Sequence, residues 1–333
     1  SLSGTIETGS AIIDSRTQAE AIGVGISGGG DNDSILNSGH IGIVATPGAT
    51  AVAADLSVTV SEEGDITSGA GVSDASTLAA GNAVGIDGGD GDDTIFTASA
   101  ESPGIELLTI SNATGVAVSL NVAGSLSGGV DAGDSISTAR TVSDAEVTGV
   151  SGGSGNDHVT NLSGIASTSI ANSTAVGVGL SAALNMGGDV TAGGAVSDTR
   201  TDASAIATGI GGGTGDDRID NTGPAAGIAT TSAATGTAVG VALSVSGRIA
   251  TEETAANGGG DVSGAVVSDS GAFAGARSVG LDGDSGSDQI SNQAAIISGA
   301  TALGIAVDVG LSGAFNVGIE VAPEGDVTGM ALS

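Results

Sequence analysis

TAVGVALSV, residues 237–245, places Val or Leu at every second position, with Gly, Ala or Ser between them. A period of two marks an extended strand, whose side chains alternate between its two faces. One face of this strand is bulky and apolar; the other is built from small residues. The pattern returns as TGVAVSLNV from Thr114, TAVGVGLSA from Thr174 and ATALGIAVDV from Ala300. Recurrence on this scale points to a stacked array of repeats.

A second feature keeps the same beat. The loops GGGDNDSILN (28–37), GGDGDDTIFT (88–97), GGSGNDHVTN (152–161), GGTGDDRIDN (212–221) and GDSGSDQISN (283–292) carry an Asp at their sixth position. Those residues, Asp33, Asp93, Asp157, Asp217 and Asp288, are 60, 64, 60 and 71 residues apart. Further Gly-Asp turns fall between them at Asp65, Asp189 and Asp261, so the repeat of about 60 residues reads as doubled, with one coil of about 30. The approximate units are 1–60, 61–124, 125–184, 185–255 and 256–333.

Coils that cannot bury their bulky faces alone do so by stacking, which predicts an all-β fold, a parallel β-solenoid with one continuous core. Parallel crossovers favour a right-handed β-helix or β-roll. Roughly ten coils at about 4.8 Å per rung predict a rod about 50 Å long. The small-residue faces are expected to let sheets or neighbouring rods approach closely. A set of antiparallel sandwiches is the competing all-β reading, but hairpin dipeptides are scarce.

Composition bounds the function. The 333 residues include 61 glycines and no Trp, Tyr, Cys or Lys. A net charge of −32 disfavours nucleic acid and anionic membrane as partners, and favours divalent cations. No run of 18 apolar residues exists, so no membrane span is expected. Cysteine-free composition fits a secreted bacterial protein, of which this chain reads as a slice. A phosphate loop would need a lysine, and no nucleophile motif has a strand-to-helix setting, so no enzyme is expected. His40 and His158 read as surface histidines. Arg16, Arg140 and Arg200 occupy matching places and read as partners of nearby acids. Asn37, Asn161, Asn221 and Asn292, four residues after the loop Asp in four copies, with Thr97 in the second, read as turn-stabilising amides in the solenoid wall.

GGSGNDHVT and GGTGDDRID resemble the nonapeptide G-G-x-G-x-D-x-U-x of repeats-in-toxin (RTX) calcium-binding proteins, where U is apolar. The resemblance covers five nine-residue segments and implies Ca²⁺ held by the sixth-position Asp and backbone carbonyls. It makes Asp33, Asp93, Asp157, Asp217 and Asp288 candidate ligands, with Asp31 and Asp284 replacing glycines in the first and last copies. The family's repeats run in tandem, whereas here one copy appears per 60 residues or so. Stacked 30-residue coils would bring Asp65 beside Asp93, Asp189 beside Asp217 and Asp261 beside Asp288, pairs of carboxylates that call for a cation. The other reading of these residues is local turn capping. The continuation DRIDNTG resembles passenger regions of bacterial adhesins and autotransporters, which implies an extracellular protein, secreted or displayed at the cell surface.

Three functions compete at this stage. The leading one is a structural or adhesive module, rigidified by calcium and self-associating end to end or laterally into fibres or a surface layer. The second is a ligand-binding solenoid with a glycan- or ice-binding face, for which TRT at Thr199–Thr201 hints at a Thr-x-Thr row. The third, a polysaccharide-active β-helix enzyme, lacks the Trp and Tyr platforms that sugars stack on.

Overall fold

The computed structural model describes residues 5–250, 262–318 and 327–332. Every regular element among them is a β-strand, and every strand pair is parallel. The chain winds as a parallel β-solenoid, as its alternation predicts.

One coil consists of four strands. In the second coil these are Ile66–Thr67, Gly71–Asp90, Thr94–Thr97 and Ile105–Ser125. The two long strands form facing walls. The first wall stacks Ala11–Gly30, Gly71–Asp90, Ser135–Ser154, Ala195–Thr214 and Val262–Asp282 in register. The second wall stacks Gly48–Ser61, Ile105–Ser125, Ile165–Asn185, Ile228–Ala250 and Ile296–Gly318, with Ile41–Ala45 continuing the first rung beyond Pro47. A narrow end wall of four-residue strands, Ser34–Asn37 to Gln289–Asn292, joins them at one end. The short strands Ile6–Glu7, Ile66–Thr67, Val130–Ala132 and Val190–Ala192 close the other.

The register overturns the 30-residue coil. Asn37 pairs with Thr97, Asn161, Asn221 and Asn292, and Ile66 with Val130, so one rung of the stack takes 60 residues or more. The two half-repeats are the two walls of one flattened coil. Five stacked coils at about 4.8 Å span about 24 Å, against about 66 Å for a 20-residue strand, so the stack is a broad slab and not a 50 Å rod.

The walls differ along their length in what they enclose. Near the end wall three sheets meet around a bulky core of Ile86, Ile95, Ile105, Val159, Ile165 and Ile219. At the opposite end Ile66, Val130, Val190 and Val262 fill a smaller one. Between them the walls meet through small side chains, Ala51, Ala75, Ala117, Ala139 and Ala175. Here the expectation about the alternating strands is reversed. In TGVAVSLNV the small residues Gly115, Ala117 and Ser119 are buried, while Val116, Val118 and Leu120 face outward and are half-buried. The reason is spacing: an alanine-lined gap admits no Val or Leu. The outward residues form columns across the rungs, Val52 with Val116, Val176, Val239 and Val307, and Leu56 with Leu120, Leu180, Leu243 and Leu311.

The same inversion removes the Thr-x-Thr row. Thr199 and Thr201 point inward and are buried, with Thr141 on the neighbouring rung. The arginines between them face out.

Candidate functional site

The repeated loop carries the residues that composition singled out, and its geometry explains the motif. After the first-wall strand the chain must turn sharply into the end wall. In the second coil Gly89 (φ +101°) and Gly91 (φ +129°) supply left-handed backbone that L side chains rarely adopt. A Cβ on Gly89 would also lie 1.9 Å from the Gly29 carbonyl oxygen of the adjoining coil. Asp31 and Asp284 hold corresponding left-handed positions at φ 72° and 61° where other copies have glycine, and Asp is among the few residues that tolerate it.

The sixth-position aspartates form one column. The Asp33 N–H donates to Asp93 Oδ1 (2.7 Å), Asp93 N–H to Asp157 Oδ1 (2.7 Å), Asp157 N–H to Asp217 Oδ1 (2.8 Å) and Asp217 N–H to Asp288 Oδ1 (2.9 Å). Each side chain therefore reaches back one coil. Fifth-position residues reach the other way: Asp92 N–H donates to Asn32 Oδ1, Asn156 N–H to Asp92 Oδ1, and Asp216 N–H to Asn156 Oδ1. Neighbouring coils are thus locked by two antiparallel sets of side-chain to backbone bonds.

Four residues on, a buried amide ladder completes the seam. Asn161 Nδ2 donates to Asn221 Oδ1 and Asn221 Nδ2 to Asn292 Oδ1, both at 2.7 Å, and the Thr97 hydroxyl donates to Asn161 Oδ1. These residues are the wall amides expected from the sequence. The arginines behave as expected too: Arg16 pairs with Asp14 (3.0 Å), Arg140 with Asp198 (3.6 Å), and Arg200 with Asp198 and Asp269 (3.1 and 3.5 Å). His158, half-exposed, contacts Asp220.

The half-repeat aspartates do not join the column. Asp65 and Asp189 lie where the second wall returns to the first, at the other end of the coil and roughly 60 Å along the strands from Asp93 and Asp217. The pairs Asp65–Asp93 and Asp189–Asp217 therefore do not form. Asp65 Oδ1 instead accepts the Gly129 N–H of the next coil at 2.7 Å, and Asp134 Oδ1 accepts that of Gly194 at 2.7 Å. Asp261 lies outside the described residues. Sequence reasoning missed this second seam because it read both turn types as rungs of one edge.

The column's inner oxygens decide how far the calcium reading fits. Oδ2 of Asp33, Asp93, Asp157 and Asp217 is shielded from solvent and has no hydrogen-bond partner. Each lies against the first glycine of its own loop: a Cβ on Gly88, Gly152 or Gly212 would come within 2.6, 2.7 or 2.6 Å of it. Ca²⁺ gathers six to eight oxygens at about 2.3–2.6 Å. Among the described residues no three acidic or histidine side chains converge as a metal set. The column by itself supplies no such set, and the motif's first glycine is accounted for by the adjoining coil's carbonyl oxygen, 2.3, 2.1 and 2.2 Å from a Cβ on Gly28, Gly88 and Gly152, together with the carboxylate beside it.

Burial does alter the acids. Asp157 is 2% exposed, and burial, with its neighbours Asp217 and Asp93, pushes its carboxyl up to about 6 against the pull of the Asp93 N–H. Asp217 is raised for the same leading reason. Groups so enclosed bond backbone and do not face a substrate. The chain matches no protein-family model and no curated protein, so the RTX resemblance rests on the five loops themselves.

Proposed function

We propose that this chain is a rigid structural and adhesive module of a long extracellular bacterial protein. The observation that supports it is the use made of the repeated polar residues. Asp33 to Asp288, Asn161 to Asn292 and Asp65 each bond an adjoining coil, so the seam works to hold rung to rung. Buried polar ladders that cross from coil to coil fix register in a sheet that could otherwise slip. The acidic surface keeps such a module soluble and away from nucleic acid.

A glycan array together with a polysaccharide-depolymerisation assay on the folded protein tests this reading. A scaffold gives neither saturable glycan binding nor product. Micromolar binding to one glycan moves the chain to the ligand-binding class, and turnover of a polysaccharide moves it to the enzymes.

A further inference from the structure

The outer face of the second wall is the feature that the seam does not explain. From the row of Thr50 to the row of Val60, its outward positions carry no charged side chain on any of the five rungs, although the chain as a whole is at −32. Asp55 and Asp308, which belong to the same strands, sit at the alternate, inward positions. The inner rungs of the Val and Leu columns are half-buried because their neighbours above and below cover their flanks. The outermost rungs show the bare face: Val52 is 59% and Leu56 65% exposed at one end, and Leu311 61% at the other. The face is not uniform. Where Gly124 falls between Val60 and Leu184, an apolar groove of about 300 Å³ opens, with Met186 and Ile249 along its side.

From these observations we infer that the outer face of the second wall docks face to face with the same face of a second copy of this chain. Area supports that occupant. Ten residues of strand at about 3.3 Å by five rungs at about 4.8 Å make about 800 Å² per copy, or about 1,600 Å² for the pair, the size of a standard specific interface. Such an area exceeds the largest apolar patch usual on a monomer, roughly 300–600 Å². Sheets packed face to face through Val and Leu lie about 10 Å apart, the arrangement of a β-sandwich core.

Charge selects the copy over a lipid surface. A face that lies on membrane carries a basic rim for anionic headgroups. Here the surface arginines Arg16, Arg140, Arg200, Arg218 and Arg277 stand on the first wall or the end wall. In a face-to-face pair the acidic edges remain in solvent, where salt screens their repulsion. This inference deepens the structural reading by supplying its lateral contact, and it rests on that reading for its biological sense.

The test is sedimentation of the purified chain at several concentrations and salt levels, beside Leu180→Asp and Leu180→Thr, with circular dichroism on each. Leu180 is at the middle rung of the Leu column. The expected result is a dimer that tightens as salt rises, weakened about tenfold or more by Leu180→Asp, as for a central hot spot. If Leu180→Asp fails to fold, Leu180→Thr is read in its place and is expected to weaken the dimer in the same direction. With a bis-maleimide, Leu180→Cys is expected to cross-link and Arg140→Cys, on the first wall, is not. A chain that stays monomeric at high salt overturns the inference, as does a dimer indifferent to both Leu180 substitutions. A monomer that floats with neutral phosphatidylcholine vesicles overturns it in favour of lipid. Each of those outcomes leaves the scaffold standing; a saturable glycan ligand removes the scaffold and leaves the dimer.

Discussion

The end-wall region and the middle of the slab use one strand pattern to opposite ends. Around Ile95, Ile105 and Ile219 three sheets converge, and the triangular space between them takes branched side chains inside. A few residues farther along the same second-wall strands only two sheets face each other. Ala117, Ala139 and Ala175 fill the gap, and the Val and Leu of the alternation turn outward. Alternation alone therefore reports that a strand has two unlike faces. Which face is buried depends on how far apart the walls stand, and that is set by whether a third strand spreads them.

The largest expected effect probes the thick end. Ile165→Ala removes a fully buried side chain from the packed three-sheet core, where relaxation is limited. A loss of about 2–5 kcal/mol is expected in chemical denaturation. Leu180→Ala, in the same strand but on the outer face, is expected to cost the isolated chain about 1 kcal/mol or less. Equal losses at the two positions would mean that the middle of the slab is not inverted.

Next comes the gap itself. Ala175→Leu forces a large side chain between walls that meet through alanine, and overpacking of this kind costs about 1–3 kcal/mol or more. Under the arrangement expected from the sequence, with the bulky face inside, position 175 would face out and the substitution would be nearly neutral. The melting temperature of this one variant therefore separates the two arrangements.

Much of this was legible in the sequence. The parallel solenoid follows from the period-two strands and the recurring loops, and the Asn ladder from the Asn that trails four of the five loop aspartates by four. What could not be read was the size of a rung. Asp65 and Asp93 stand in similar Gly-Asp contexts and differ only in which end of the coil they turn. Local turn chemistry carries no record of that. The role of the loop Asp was half legible: its glycines announce a tight turn, but one loop cannot show that its carboxylate is spent on the backbone of the coil before it.

The smallest effect bears on that seam, and its sign is the informative part. Asp157 is held in the folded chain at about 6, above the usual carboxylate value, chiefly by burial. Between roughly pH 4 and 6 the folded state therefore binds more protons at this position than the unfolded chain does. The stability it contributes is fully present below the unfolded value and is lost as pH rises through about 6. Melting temperature is expected to fall over that window. General relief of the −32 charge on acidification acts in the same direction, so the position must be isolated by substitution. Asp157→Asn keeps the Oδ1 acceptor for the Asp93 N–H and is neutral at every pH. It is expected to flatten the wild-type slope and to melt slightly higher than wild type at pH 7, with or without chelator. Calcium on the column requires the reverse, because a carboxylate ligand would be lost: Asp157→Asn would then melt lower in calcium, and chelation would erase the difference. A buried acid that only bonds backbone is improved by losing its charge, and one that holds a cation is not.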